Sequence, residues 1–401
     1  RVYLYWGCSD KKPIMGVEID PHNGFTPIGE PKVLIAHNSD RYGWEAQWRE
    51  DGTSRDGWNE GATMFKHNGK YYLQYAAPGT ELRGYADGVY IGNSPLGDFT
   101  PQASNPFCIK PGGFIGGAGH GHTFLDKFGN LWHVATMKIS VRHMFERRIG
   151  LFPAYFTENG ELHAHTVWTD YPFRIPQEKV DFAKDDLSMG WNLLSYNKKV
   201  IASSFLENYK PEKANDEQIE TWWNAKTGKS GEWWVIDLGE EKIINAILIS
   251  FADADFNADN SFLYQYDITT YLENGEPQEF FNKTSDKPHE LIVFDKEIKA
   301  RKIRIYNKKK MLAGHFSLSG VRVFGENKKE SHWQNFSAIR DKNDPRIYRF
   351  SWQKQKNATG YILRWGIKPN ELHNAVMIYG TEYEGRFFNR DTEYYFELTA
   401  F

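Results

Sequence analysis

The stretch Gly57-Trp58-Asn59-Glu60-Gly61-Ala62, followed by Asn68-Gly69 and Lys70-Tyr71-Tyr72-Leu73-Gln74-Tyr75, decides how the chain is read. The Asn-Gly pair signals a hairpin, because tight hairpin turns need positive φ at their centre. The run after it has the aromatic composition of a strand. A lone carboxylate, Glu60, therefore stands at the mouth of a strand between Trp58, Asn59 and two small residues. Small residues let a ligand approach the backbone. A Trp can exclude water and raise the pKa of a neighbouring carboxyl, which a general acid working near neutral pH needs. The plain alternative is a surface Glu in a loop.

Outward from this stretch the same pattern repeats. Asn-Gly or Asp-Gly pairs recur at 23–24, 51–52, 87–88, 159–160 and 274–275, each a turn signal. Short strands are expected at 2–6, 71–75, 131–137, 233–238, 246–251, 302–306 and 361–365. No amphipathic helix of normal length is visible, so the chain is expected to be all-β. At 401 residues it should hold two or three domains. Residues 1–180 repeat a strand, turn and aromatic-strand unit, as propeller blades do. The charged run 177–190 lacks a strand pattern and reads as a linker. Residues 191–326 form a second unit. Asn327-Lys328-Lys329-Glu330 is a polar bridge, and 331–401 form a third, incomplete unit.

Composition narrows the classes of partner. Aromatic residues make up 16% of the chain, with 14 Trp and 22 Tyr. Flat rings suit the apolar faces of sugars, and they are equally ordinary strand residues. A net charge of -3 argues against nucleic acid and anionic membranes. Two cysteines, Cys8 and Cys108, give no disulfide framework and are expected to stay unpaired. No apolar run reaches membrane-spanning length. The chain opens and closes within strand-like sequence and shows no signal peptide, so it reads as truncated at both ends.

Trp58-Asn59-Glu60-Gly61-Ala62, the Asn-Gly turn and the Tyr-Tyr-Leu-x-Tyr strand resemble the acid-bearing blade of glycoside hydrolase family 43. The resemblance covers about 1–176. It includes Val2-Tyr3-Leu4-Tyr5-Trp6-Gly7, the run 19–25 and Ser94-Pro95-Leu96-Gly97-Asp98-Phe99. It continues through Gly117-Ala118-Gly119-His120-Gly121-His122 and Glu146-Arg147-Arg148-Ile149-Gly150-Leu151. It implies an incomplete five-bladed β-propeller from an enzyme that hydrolyses arabinofuranosides, xylosides or galactofuranosides with inversion. Glu60 would be the general acid. The base and the pKa-tuning carboxylate are expected upstream of Arg1. Asp10, Asp20, Asp51 and Asp56 do not sit in motifs that would replace them, so this chain is expected to be inactive alone. Trp6, Trp58, Tyr75, His120 and Arg148 would line the sugar site, with His122 and Arg147 as alternatives within their motifs. His120 would stand beside a water or Ca²⁺. His163 and His165, at i and i+2, form a weaker metal candidate with no evident third ligand.

Ala214-Asn215-Asp216-Glu217, Glu220-Thr221-Trp222-Trp223 and Trp234-Val235-Ile236-Asp237-Leu238-Gly239 resemble the discoidin-like jelly roll of coagulation-factor type C domains. Carbohydrate-binding modules of family 32 share that fold. The resemblance implies a structural Ca²⁺ held by Asp216, Thr221 and Glu326, and no cofactor for catalysis. Phe350-Ser351-Trp352, Tyr361-Ile362-Leu363-Arg364-Trp365 and Tyr394-Tyr395-Phe396 resemble a fibronectin type III sandwich without its last strand. The expected partner is an oligo- or polysaccharide outside the cytoplasm, extracellular or periplasmic. The alternatives are a non-catalytic carbohydrate-binding protein and a cell-surface adhesion protein.

Overall fold

A computed structural model describes all residues except 142, 253–262, 311–313 and 328–329, so Lys328 and Lys329 of the expected polar bridge lie outside the described residues. The chain is all-β and forms two compact units. One comprises 1–138, 147–188 and 330–400, and the other comprises 139–146, 189–329 and residue 401.

The first unit carries three blade-like antiparallel sheets. The first joins β1 (Val2–Trp6), β2 (Ile14–Asp20) and β3 (Thr26–Ile35). A small pair, β4 (Ala46–Trp48) and β5 (Ser54–Asp56), follows. The second sheet runs β6 (Glu60–His67), β7 (Lys70–Ala77), β8 (Ala86–Gly92), with β9 (Thr100–Pro101) and β10 (Cys108–Ile109) both paired to β8. The third runs β11 (Gly116–Leu125), β12 (Leu131–Lys138), β13 (Arg147–Phe156), β14 (Leu162–Ala164). Asn68-Gly69 makes the β6–β7 hairpin turn, as the sequence signals. Asp87-Gly88 does not make a turn. It lies inside β8, because β7 pairs along its length and a central strand tolerates one inward-facing Asp when donors meet it.

The run 177–190 is not a free linker. Phe182 and Leu187 are 3% and 0% exposed and pack on Trp132 with Val180. Asn130 Nδ2 donates to the Glu178 carbonyl and Arg174 N to that of Leu187. Three apolar residues spaced irregularly among charges hold the strap without any strand pattern.

Residues 331–400 form two sheets, 336–340/348–352/382–385 and 331–332/395–400/361–366/374–378. They do not stand apart as a third body. Tyr348, Trp365 and Leu398 share one core cluster with Ile14, Trp44, Leu73 and Tyr75 of the blade sheets. Gly43 N donates to the Phe388 carbonyl, and Arg346 Nη1 donates to that of Ser39.

The second unit is a jelly roll built on one curled sheet of eight strands. Its two long strands, Trp233–Phe251 and His289–Lys310, pair along their length through register shifts at 237/242 and 244/246. The separate strands expected at 233–238 and 246–251 are therefore one bent strand. Trp223, Trp234, Ile236, Ile247, Tyr266 and Ile303 fill the core, each 0% exposed.

Candidate active site

Glu60 begins β6 and pairs with Ala76, whereas Thr63 pairs with Gln74, so an extra residue is taken up at Gly61-Ala62. Such a bulge re-aims the side chain beside it. Gly61 sits at φ +65, and a Cβ there would lie 2.8 Å from His120 Cδ2. Both the backbone and the space therefore demand glycine. On the other side, Ser9 and Asn59 exchange backbone hydrogen bonds of 3.3 and 3.0 Å, which brings Cys8 to Glu60.

The Glu60 side chain is 16% exposed. Tyr85 Oη donates to its Oε1 at 2.5 Å, and Cys8 Sγ donates to Oε2 at 3.1 Å. His120 Nδ1 lies 3.8 Å from Oε1, an ion-pair distance. Burial pulls the Glu60 carboxyl up, but His120, Tyr85 and Cys8 favour its charged form more strongly and hold it at about 2. Glu60 raises His120 in return. Burial, then Glu60, pushes the Cys8 thiol up to about 11. The expected upward shift of Glu60 is thus reversed: the donors dominate, and Trp58 stays 42% exposed. The same contact thus favours the charged forms of both Glu60 and His120.

Behind this cluster lies a buried polar relay that sequence reading missed. Asp87, 1% exposed, accepts from the backbone N of His120 at 2.8 Å and of Gly121 at 2.9 Å. His133 Nε2 is 2.8 Å from its Oδ2, and Thr123 Oγ1 joins His133 Nδ1 to Gln74 Oε1, each at 3.0 Å. His120 sits at φ +56, so these bonds fix a left-handed turn that presents its ring to Glu60. The sequence signal was an Asp within an apolar strand, hidden by its Asp-Gly resemblance to a turn.

The other expected site residues divide. Trp6 ends β1, 39% exposed, two residues before Cys8, and Trp58 is likewise open. Tyr75 cannot line an open pocket: it is 1% exposed, and its hydroxyl donates to the buried Glu45, whose carboxyl burial raises to about 7. Arg148 turns its Nη1 to the Arg147 carbonyl. Arg147 instead donates to Thr80 Oγ1 at 3.3 Å, and its charge bears on Tyr85 and His120. His122 is exposed further along β11. His163 stacks on His373 with ring centres 3.9 Å apart, and His165 Nε2 bonds the Phe182 carbonyl. Their nitrogens do not converge, and among the described residues no group of three His, Cys, Asp or Glu is placed to hold a metal. Cys8 is exposed and Cys108 buried, both free.

For calcium, the oxygens near Asp216 form a hard donor set. Thr221 Oγ1 is 2.7 Å from Asp216 Oδ2, 3.2 Å from the Gln218 carbonyl and 3.5 Å from that of Lys213. Burial raises the Asp216 carboxyl, against which Lys213 Nζ, 3.7 Å away, is a partial counter-charge. Asp216 and Thr221 bring together oxygens of the kind that Ca²⁺ takes. Glu326 is held by Lys242 at 3.5 Å, and no contact brings it to the other two.

Residues 1–162 match the family model of glycosyl hydrolases family 43, and residues 199–320 match that of the F5/8 type C domain. The region that matches the glycosyl hydrolase model contains Glu60, and the region that matches the F5/8 type C model is separate from it. Among solved structures it is similar to a glycoside hydrolase at 20% identity, covering 80% of this chain and 67% of that one, with a TM-score of 0.40. It is also similar to chitosan-binding module 1 of a chitosanase/glucanase from Paenibacillus sp. IK-5, at 21% identity, 33% of this chain, 99% of that one and TM-score 0.29. A third similarity is to the family 32 CBM from C. perfringens NanJ in complex with galactose, at 21% identity, 31% and 92% coverage and TM-score 0.28. No curated protein matches the chain.

Proposed function

We propose that the chain is part of an extracellular or periplasmic glycoside hydrolase that cleaves arabinofuranosides, xylosides or galactofuranosides with inversion, with Glu60 as its general acid. The observation that carries this reading is a carboxyl aimed by a glycine bulge into a cluster of Tyr85, His120 and Cys8, within the region that matches the hydrolase family. Desolvation is already the largest influence on Glu60. A sugar that excludes water from the cluster strengthens it and draws the proton from His120 toward Glu60, where it can reach the leaving oxygen. Inversion also needs a carboxylate across the ring to activate water. Asp87 does not serve, because its oxygens are engaged by two amides and His133. The base is assigned to a carboxylate outside the described cluster, and on this reading the chain alone is inactive. Trp6, Trp58 and Arg147 would contact the sugar. Asp216 and Thr221, with neighbouring carbonyls, would hold a structural Ca²⁺, and the type III-like sheets would act as a support.

A second reading follows from the contacts of Tyr85, Cys8 and His120 with Glu60, which favour its charged form and suit a sugar-binding site without chemistry. The test is hydrolysis of a pentoside oligosaccharide, whose leaving group needs a proton, by the full-length protein and by Glu60→Gln. Turnover that depends on Glu60 supports the enzyme. Sugar binding without turnover supports the binder.

A further inference from the structure

The sheet of the jelly-roll unit has a core face, which carries Ile236, Ile268, Ile303 and Ile305, and residues alternate between it and the opposite face. On that opposite face the register sets Val235, Arg304, Thr269 and Phe280 in one row across four strands, with Ile201 beyond Val235. Trp233 and Tyr306 stand in the row on one side, and Lys302 and Tyr271 in the row on the other. We propose that this face binds a uronic-acid saccharide, whose carboxylate Arg304 takes while the rings beside it carry the sugar. The proposal takes from the saccharide reading above only its class of ligand.

Arg304 carries the argument. Its guanidinium carbon lies 5.5 Å from the Tyr306 ring centre and 6.0 Å from that of Tyr271. The two rings flank the cation from neighbouring rows and attract it without neutralising it. Nε is buried and has no partner. Nη1 and Nη2 reach solvent, and Arg304 makes no hydrogen bond or ion pair among the described residues. A guanidinium stays charged, and its planar fork matches a carboxylate through two parallel hydrogen bonds. The acids of the flanking rows are already taken. Asp237 accepts from Arg301 at 2.9 Å, and Asp267 accepts from Asn282 at 2.8 Å with Lys308 3.8 Å away. Arg304 is therefore an unmatched positive charge, which sets the sign of the ligand. The rings set its kind. Rows lie roughly 7 Å apart, two residues along a strand. Trp233, Tyr306 and Tyr271 thus offer aromatic surface on both sides of Arg304 within the length of a short oligosaccharide. Ile201 and Phe280, at the two ends of its row, are 53% and 59% exposed, so the face is open.

The test is made in the full-length protein. Binding is followed by calorimetry and by the Trp233 indole N–H signal in NMR, assigned through Trp233→Phe. Trigalacturonate, neutral galactotriose and triglutamate are each titrated to about 20 mM, a range that reads millimolar affinity. The expected result is saturable binding of trigalacturonate that moves the Trp233 signal and is about fivefold or more tighter than that of galactotriose. Arg304→Gln should remove this preference and leave galactotriose unchanged. If that variant does not fold, Arg304→Lys takes its place: it keeps the charge without the fork and should weaken trigalacturonate about threefold or more. Trigalacturonate that binds no tighter than galactotriose, that leaves Trp233 unmoved, or that loses nothing in the Arg304 variant overturns the proposal. Triglutamate binding as tightly as trigalacturonate assigns the face to an acidic peptide and overturns it as well. Hydrolysis of pentosides by the wild type and Glu60→Gln is scored separately. Loss of the catalytic reading leaves this result standing, and the reverse also holds.

Discussion

Gly61 shows how one residue sets the site. Its positive φ makes the bulge that aims Glu60, and its missing Cβ admits the His120 ring. Gly61→Ala should therefore destabilise the protein by about 1–2 kcal/mol from the left-handed backbone alone, read as a lower urea midpoint. It should also push His120 off Glu60, read as a rise in the Glu60 carboxyl pKa from about 2 by carbon-detected NMR titration. An unchanged titration would show that His120 does not hold Glu60. Much of this residue scale is legible in the sequence. Glu60 with its small neighbours, and the Asn68-Gly69 turn, are local signals. Asp87 is not legible, because its role depends on His120, Gly121 and His133 arriving from another sheet. Tyr75 is misplaced for a related reason: a strand aromatic reads the same whichever face it turns to the core.

At the scale of elements, strand type is clear from composition, but packing without periodicity is not. The strap at 177–188 illustrates this. If it is packed as described, Leu187→Ala should cost roughly 2–5 kcal/mol, as other buried Leu truncations do. A cost near zero in chemical denaturation would restore the linker. The junction of β14 with the loop around 373 makes a second test. Burial, and then the charge of His163, lower His373 to about 4, and burial also lowers His163. Unfolded, these groups titrate near 6.5. Their contribution is complete above about pH 6.5 and is lost as pH falls toward 4, because the unfolded chain takes up protons that the folded one refuses. Glu161 and Glu371 oppose the shift, and His165 adds to it. His373→Gln should flatten the fall in melting temperature between pH 6.5 and 4. An equally steep fall in that variant would assign the acid sensitivity elsewhere.

At the scale of the whole molecule, sequence segments and compact units do not coincide. The break near 190 is readable from the change in pattern. The shared core of Trp365 and Leu398 with Trp44 and Leu73 is not, since apolar strands look alike whether they close their own sandwich or cover a neighbour. For the jelly-roll unit, the Asp216–Thr221 cluster predicts a calorimetric transition that moves up with Ca²⁺ in the full chain, following ligand linkage. Identical traces in EDTA and in ~5 mM Ca²⁺ would remove calcium from the account. The claim on which the functional reading stands is proton donation by Glu60. The most direct measurement compares kcat/KM of the full-length protein and Glu60→Gln on a pentoside oligosaccharide and on its dinitrophenyl glycoside, whose leaving group needs no proton. The account predicts a loss on the order of 10²–10⁴ for the oligosaccharide and a much smaller one for the dinitrophenyl substrate. Equal losses on both would contradict it.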